Sequence, residues 1–278
     1  ACQSTPSSSI DVNLNVDVLY FDDAFPNYHN NSIETPEDIF SLDADMLALV
    51  ENVLKPEQNI KKRASKLLDH IFKREDVNLL YSSNANVIAR EAYHSQTANC
   101  MSLTILAYVL ATEANLAVNF QSIDIPEYWV RNGQYNMLTG HVNLLIKQPR
   151  KANTFVFLDN GLLEIDFDPY AIKKSFPKKI ISKDRILAMF YNNKGANHLA
   201  NKNYDAAYAY FKASTKADKN FSSVWGNMGI LYRVTGHNTL AEKNYRFAID
   251  LDTDDLTALT NLSMLLGWQG KIEEMSKI

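Results

Sequence analysis

The feature that most limits how this chain can fold is a self-similarity with a period of 34 residues in its last third. Setting Tyr191 over Trp225 also sets Gly195 over Gly229, Ala207 over Ala241, Phe211 over Tyr245, Ser214 over Ala248 and Asp218 over Asp252. A fixed period of this length means one supersecondary unit repeated. It suits two antiparallel helices whose small residues let them approach while aromatic residues fill the groove between neighbours. A partial third copy carries Leu256, Leu259, Leu262 and Gly270, the last lying 34 residues after Gly236. An all-α array of about two and a half helical hairpins is therefore expected over residues 187–278. At that spacing Tyr204, Tyr208, Tyr210, Phe211, Trp225 and Tyr232 read as core rather than as a ligand box.

The chain ahead of the array is long enough for a second domain with its own core. Across all 278 residues, 46% are hydrophobic and 22% charged, as in ordinary globular proteins. A net charge of -4 gives no basic field for a phosphate backbone, so nucleic acid is not an expected partner. The longest apolar candidate, Met101 to Ala111, falls short of the roughly 18 to 20 residues that cross a bilayer. The nine glycines make no phosphate loop. His29, His70, His94, His198 and His237 stand without zinc-ligand spacing, and neither a metal nor a cofactor is expected.

Residues 1–34 are rich in Ser, Asn and Asp and read as a flexible tether, with one alternating stretch, Val12 to Tyr20, suited to an edge strand. At Thr35-Pro36-Glu37-Asp38 the pattern turns helical: a Thr cap, Pro at the first position, acids in the first turn. A second helix follows Pro56. Helical spacing resumes from Cys100 through Leu110, and strand-like runs follow at Ala117 to Ile123, at His141 to Ile146, at Thr154 to Leu158 and at Leu162 to Phe167, with a tight turn at Asp159-Asn160-Gly161. Helices followed by antiparallel strands predict an α+β domain over residues 35–186.

Two cysteines sit in unlike surroundings and read as unrelated, Cys2 in the polar tail and Cys100 at the start of an amphipathic helix. The partial positive charge of a helix N-terminus favours a thiolate, the nucleophilic form of cysteine. His141, at the head of a strand, is the candidate base, and a following carboxylate would hold its tautomer. If residues 147–153 form a hairpin loop, Ile146 faces Thr154 and Asp159 falls opposite His141. Oxyanion donors would come from the Cys100 backbone N–H and the side chains of Gln96 or Asn99. The competing reading is that a lone Cys on an apolar helix is packing.

Asn99-Cys100-Met101-Ser102-Leu103, then Gly140-His141-Val142-Asn143-Leu144, then Ile165-Asp166-Phe167-Asp168-Pro169 together resemble the transglutaminase-like (papain-like) superfamily. With the 34-residue period they resemble the bacterial branch in which that domain is fused to tetratricopeptide repeats. The resemblance implies helices packed on an antiparallel sheet and a Cys-His-Asp triad of Cys100, His141 and Asp166, with Asp159 as the alternative third member and Asp168 left to cap the turn into Pro169. It implies a thiol-dependent amide-bond enzyme, either a hydrolase or an acyl transferase, with a repeat domain that binds a protein or peptide. The alternative is a non-catalytic envelope scaffold on the same two folds.

The start Ala1-Cys2-Gln3-Ser4, with Thr5-Pro6-Ser7-Ser8-Ser9 behind it, resembles the mature end of a bacterial lipoprotein. That implies a lipid on Cys2 as the sole membrane attachment and a chain facing the periplasm, with Gln after the Cys favouring the outer membrane.

Overall fold

The structure is a computed structural model that describes residues 16–72, 80–82, 85–95, 97–123, 129–132, 135–138, 141–147, 162–165, 167 and 176–278. Its architecture is α+β, with helices on a small antiparallel sheet followed by a run of helical hairpins.

Helix α1 (Pro36–Ile39) opens as its sequence requires: Thr35 Oγ1 accepts the Asp38 N–H, and the Asp38 carboxylate accepts the Thr35 N–H. Helix α2 (Ala44–Leu49), capped by Asp43, runs into a π-helical turn at Val50–Leu54, and α3 (Ile60–Phe72) follows. Two short parallel strands, β1 (Leu80–Tyr81) and β2 (Thr97–Ala98), bracket α4 (Ala89–His94). Then comes α5 (Cys100–Glu113), expected to be amphipathic. Ten of its residues between Met101 and Ala111 are instead buried. The reason is its position. The sheet covers one side of α5, while α2, α3 and α4 cover the rest, and a helix enclosed all round is apolar all round.

Strand β3 (Ala117–Ile123) is followed by the hairpin of β4 (Trp129–Asn132) and β5 (Tyr135–Leu138), then by β6 (His141–Lys147), β7 (Leu162–Ile165) and β8 (Lys178–Ile181). The four-stranded sheet has the order β7-β6-β3-β8, antiparallel throughout. Strands β3 and β6 fall where the strand-like runs were expected. The expected pairing of Ile146 with Thr154 does not form. Ile146 lies between Val118 on one side and Leu163 on the other, so both of its edges are taken. The run at 154–158 lies outside the described residues, and the strand expected from Leu162 to Phe167 ends at Ile165.

The array comprises α6 (Lys183–Ala200), α7 (Tyr204–Ala217), α8 (Ser222–Val234), α9 (Asn238–Leu251), α10 (Leu256–Trp268) and α11 (Ile272–Met275). Small residues do what the period implied. A Cβ on Gly195 would sit 2.6 Å from the Phe211 ring, and one on Gly229 would sit 2.5 Å from the Tyr245 ring, so each hairpin closes only around a glycine. The aromatic residues Tyr208, Tyr210, Phe211, Trp225 and Tyr232 are buried.

Two corrections concern domain limits. The division expected between residues 186 and 187 falls inside α6, which begins at Lys183 behind a Ser182 cap. Ile186, Leu187, Met189, Phe190, Tyr191 and Tyr210 also belong to the same apolar core as α5 and the sheet, so the first hairpin is packed onto the α+β domain rather than linked to it. The N-terminal tether is likewise shorter than expected. Residues 16–30 form three 3-10 turns, at Val16–Leu19, Asp22–Ala24 and Tyr28–Asn30; of the stretch expected as an edge strand, the described part from Val16 forms the first of them, and residues 12–15 lie outside the described residues. This segment lies against α7, α8 and α9, burying Leu19 and Phe25. Glu34 ends it: its carbonyl accepts the Tyr191 hydroxyl at 2.7 Å, and its carboxylate takes Tyr210 at 2.8 Å and Lys194 at 2.9 Å. Residues 1–15, Cys2 among them, lie outside the described residues.

Candidate functional site

Cys100 is the first residue of α5, and its thiol is free and half-buried. What fixes it is the helix start. Asn99 caps α5 through its Oδ1, which accepts the Ser102 N–H at 2.8 Å. The Asn99 backbone N–H in turn donates to the Ala85 carbonyl at 3.0 Å. Ser102 Oγ accepts the Val87 N–H at 2.8 Å and donates to the Ala85 carbonyl at 3.2 Å, stitching the 85–87 loop to the first turn. Asn99 Nδ2 donates to Asn86 Oδ1 at 3.4 Å, and Asn86 Nδ2 donates to the Phe190 carbonyl at 2.9 Å. The thiol-bearing turn is thereby tied to α6 of the array.

His141 opens β6, is 1% exposed, and pairs with Ile123 across the β3 ladder. One turn along α5 from Cys100, Thr104 Oγ1 donates to the Val142 carbonyl at 3.3 Å. Thr104 is itself buried, so this bond forms where water does not compete for it. It sets the first turns of α5 against the His141 end of β6. The helix start and the strand head expected to supply nucleophile and base thus belong to elements that pack on one another.

Other expected members fare differently. Asn99 is spent on the cap and on Asn86, and at 5% exposure it belongs to the scaffold rather than to an oxyanion hole. Gln96, Asp159 and Asp166 lie outside the described residues. The observed register nonetheless bears on the carboxylates. Ile146 pairs with Val118 and Leu163, so the register from which Asp159 was expected opposite His141 is not the one that β6 adopts. Asp166 follows Ile165, the residue of β7 that pairs with Leu144.

Asn86, Ser102 and Thr104 were not singled out in the sequence. The Asn99/Ser102 spacing is a readable cap signal, whereas Asn86 acts across 104 residues and leaves no local trace. Among the described residues one group has ligand atoms suited to a metal ion: Asp43, Asp45 and His94, all within 4.8 Å of one another. Its contacts have a simpler account. Asp43 caps α2 through Oδ1 and bonds His94 Nε2 through Oδ2 at 2.6 Å, and burial, which would raise its pKa, is outweighed by these bonds so that it sits below its ordinary value. No model of a known family, no curated protein and no solved structure matches the chain.

Proposed function

We propose that the chain is a thiol-dependent amide-bond enzyme of transglutaminase-like type, carrying a tetratricopeptide array that binds a protein or peptide. Cys100 attacks the amide carbonyl, and His141 takes the thiol proton and returns it to the leaving amine. An acyl-thioester is then resolved by water in a hydrolase or by an amine in a transferase. Asp166 is the preferred carboxylate behind His141 on the resemblance to the family, with Asp159 as the alternative. The Cys100 backbone N–H, at the first turn of α5, is the natural donor to the oxyanion.

The observation that supports this reading best is the Thr104–Val142 bond, which anchors the thiol-bearing helix start to the strand headed by His141. The decisive experiment is labelling with an iodoacetamide probe at pH 6. Cys100 is expected to react far faster than a model thiol and to lose that advantage in His141→Ala. Reaction at the rate of an ordinary exposed cysteine would leave the scaffold reading in its place. For the cell, we propose a lipoprotein anchored through Cys2 and facing the periplasm. A fatty-acid label on the expressed precursor should vanish with Cys2→Ser, and an unlabelled wild-type protein would rule the anchor out.

A further inference from the structure

The segment from Leu19 to Tyr28 is held against the array as a peptide is held by a receptor. Its own backbone bonds close short turns, Tyr20 to Asp17, Ala24 to Phe21, Phe25 to Asp22 and Tyr28 to Phe25. Its ties to the array come from array side chains reaching its main chain. The Leu19 carbonyl accepts from the Tyr232 hydroxyl at 3.0 Å and from Asn244 Nδ2 at 3.3 Å, the Phe21 N–H donates to the Tyr208 hydroxyl at 3.0 Å, and the Asn27 N–H donates to Asp205 at 3.0 Å. Bonds of this kind recognise a main chain whatever its sequence.

Side-chain contacts of Phe25, Tyr20 and Asp22 select the sequence. Phe25, 2% exposed, is stacked on Tyr208 at 4.5 Å between ring centroids and leans on Tyr232 at 6.0 Å, while Tyr20 packs on Trp225 at 5.8 Å. Asp22 takes Lys212 at 2.6 Å and the Tyr208 hydroxyl at 2.7 Å; burial would raise its pKa, but these bonds and that from Tyr28 outweigh it and hold the carboxyl below its ordinary value. Beside the segment runs a cavity of about 800 Å³ lined by Asp17, Asp22 and Asp23 of the segment and by Lys212, Lys216, Lys219 and Asp218 of the array. Aromatic anchors near both ends, acids between them, and the lysines of the array define a ligand chemistry.

We propose that the groove across α7, α8 and α9 is a recognition site for segments folded in short 3-10 turns and bearing an aromatic residue, an Asp-Asp pair and a second aromatic residue, and that residues 19–28 are its resident ligand. A partner protein presenting the same pattern competes with this strap for the groove. Covalent attachment gives the strap an effective concentration on the order of millimolar, so in the intact chain a competitor in trans binds weakly until the strap lets go.

The test uses the full chain with a specific protease site inserted between Asn31 and Ser32, so that one cut turns the strap into a separate peptide. The probe is a fluorescent peptide of residues 16–31, read by anisotropy alongside far-ultraviolet circular dichroism. The cut chain is expected to bind the probe at least tenfold more tightly than the uncut chain. Lys212→Ala in the body should weaken binding by tenfold or more, and a probe carrying both Asp22→Asn and Phe25→Ala should not bind. Two outcomes would overturn the proposal: a cut chain that stays helical but binds no probe, or one that loses its helical signal once the strap is displaced, which would make residues 19–28 part of the array's core.

Discussion

The cap of α10 is a buried carboxylate, Asp255, 8% exposed, with Oδ1 accepting the Ala258 N–H at 2.9 Å. Burial pushes its pKa above the ordinary 3.8, and the bonds from Ala258 and Ser222 only partly oppose the rise. An acid whose folded pKa is raised favours the folded state only when protonated, so the cost is absent below pH 3.8 and grows as pH rises through the folded value. Asp255→Asn keeps the cap acceptor without the buried charge. It is expected to match or exceed wild-type stability at pH 7 in urea unfolding, with the gap closing towards pH 3. Asp255→Ala loses the cap and should cost about 1 kcal/mol. An Asn variant clearly less stable than wild type at pH 7 would mean that the charge has a partner worth keeping.

At the scale of the element, two glycines one turn apart on α8 face different neighbours. A Cβ on Gly229 would meet the buried Tyr245 ring at 2.5 Å, whereas one on Gly226 would find Ala258 no nearer than 3.9 Å. Gly226→Ala should therefore stabilise the array by about 0.5–1 kcal/mol, as Ala does in a helix interior, while Gly229→Ala should destabilise it by about 1–3 kcal/mol through overpacking. Thermal melts of the two variants decide the matter, and shifts of the same sign would contradict this packing. The helices of the array were legible because the residue at each close approach recurs every 34 positions, as Gly195 and Gly229 do. Strands β3 and β6 were legible as strand-like runs, the second of them buried from His141 to Ile146. Helix α5 was misread as amphipathic because its apolar residues, spaced as on one face, are joined by Ser102, Thr104 and Ala107, small residues that a core accepts as readily as a surface. The partner of β6 was misread because the first strand-like run after it, not the second, seemed the natural hairpin mate, and the sequence holds no local mark of which one pairs.

At the scale of the whole molecule, the first hairpin shares its core with the α+β domain, so these are not two independent folding units. A fragment of residues 35–186 would keep the first few residues of α6 but lose Leu187, Phe190, Tyr191 and Tyr210 from that core, together with the Phe190 carbonyl that holds Asn86. The fragment is expected to lack a cooperative thermal transition. A chain shortened at the far end, to residue 235, keeps those contacts and is expected to retain a cooperative melt for the α+β domain. A fragment 35–186 that melts cooperatively would show the shared core to be dispensable. The candidate thiol and histidine were legible from their positions at a helix start and a strand head. The strap was not: its contacts span 178 to 225 residues of sequence, and short 3-10 turns carry neither a helical nor a strand period.

Glu34, with its bonds to Tyr191, Lys194 and Tyr210, gives the strap a mechanical meaning. Tension applied to the chain ahead of Val16 is taken up first by the rings and hydroxyls of α7, α8 and α9, then by the clamp at Glu34, before any of it reaches Thr35 and the helices packed around Cys100. The clamp sits on Tyr191 of α6, one residue from Phe190, whose carbonyl holds Asn86 and through it the Asn99 cap of the turn that carries Cys100, so a pull on the N-terminal chain ends beside the thiol.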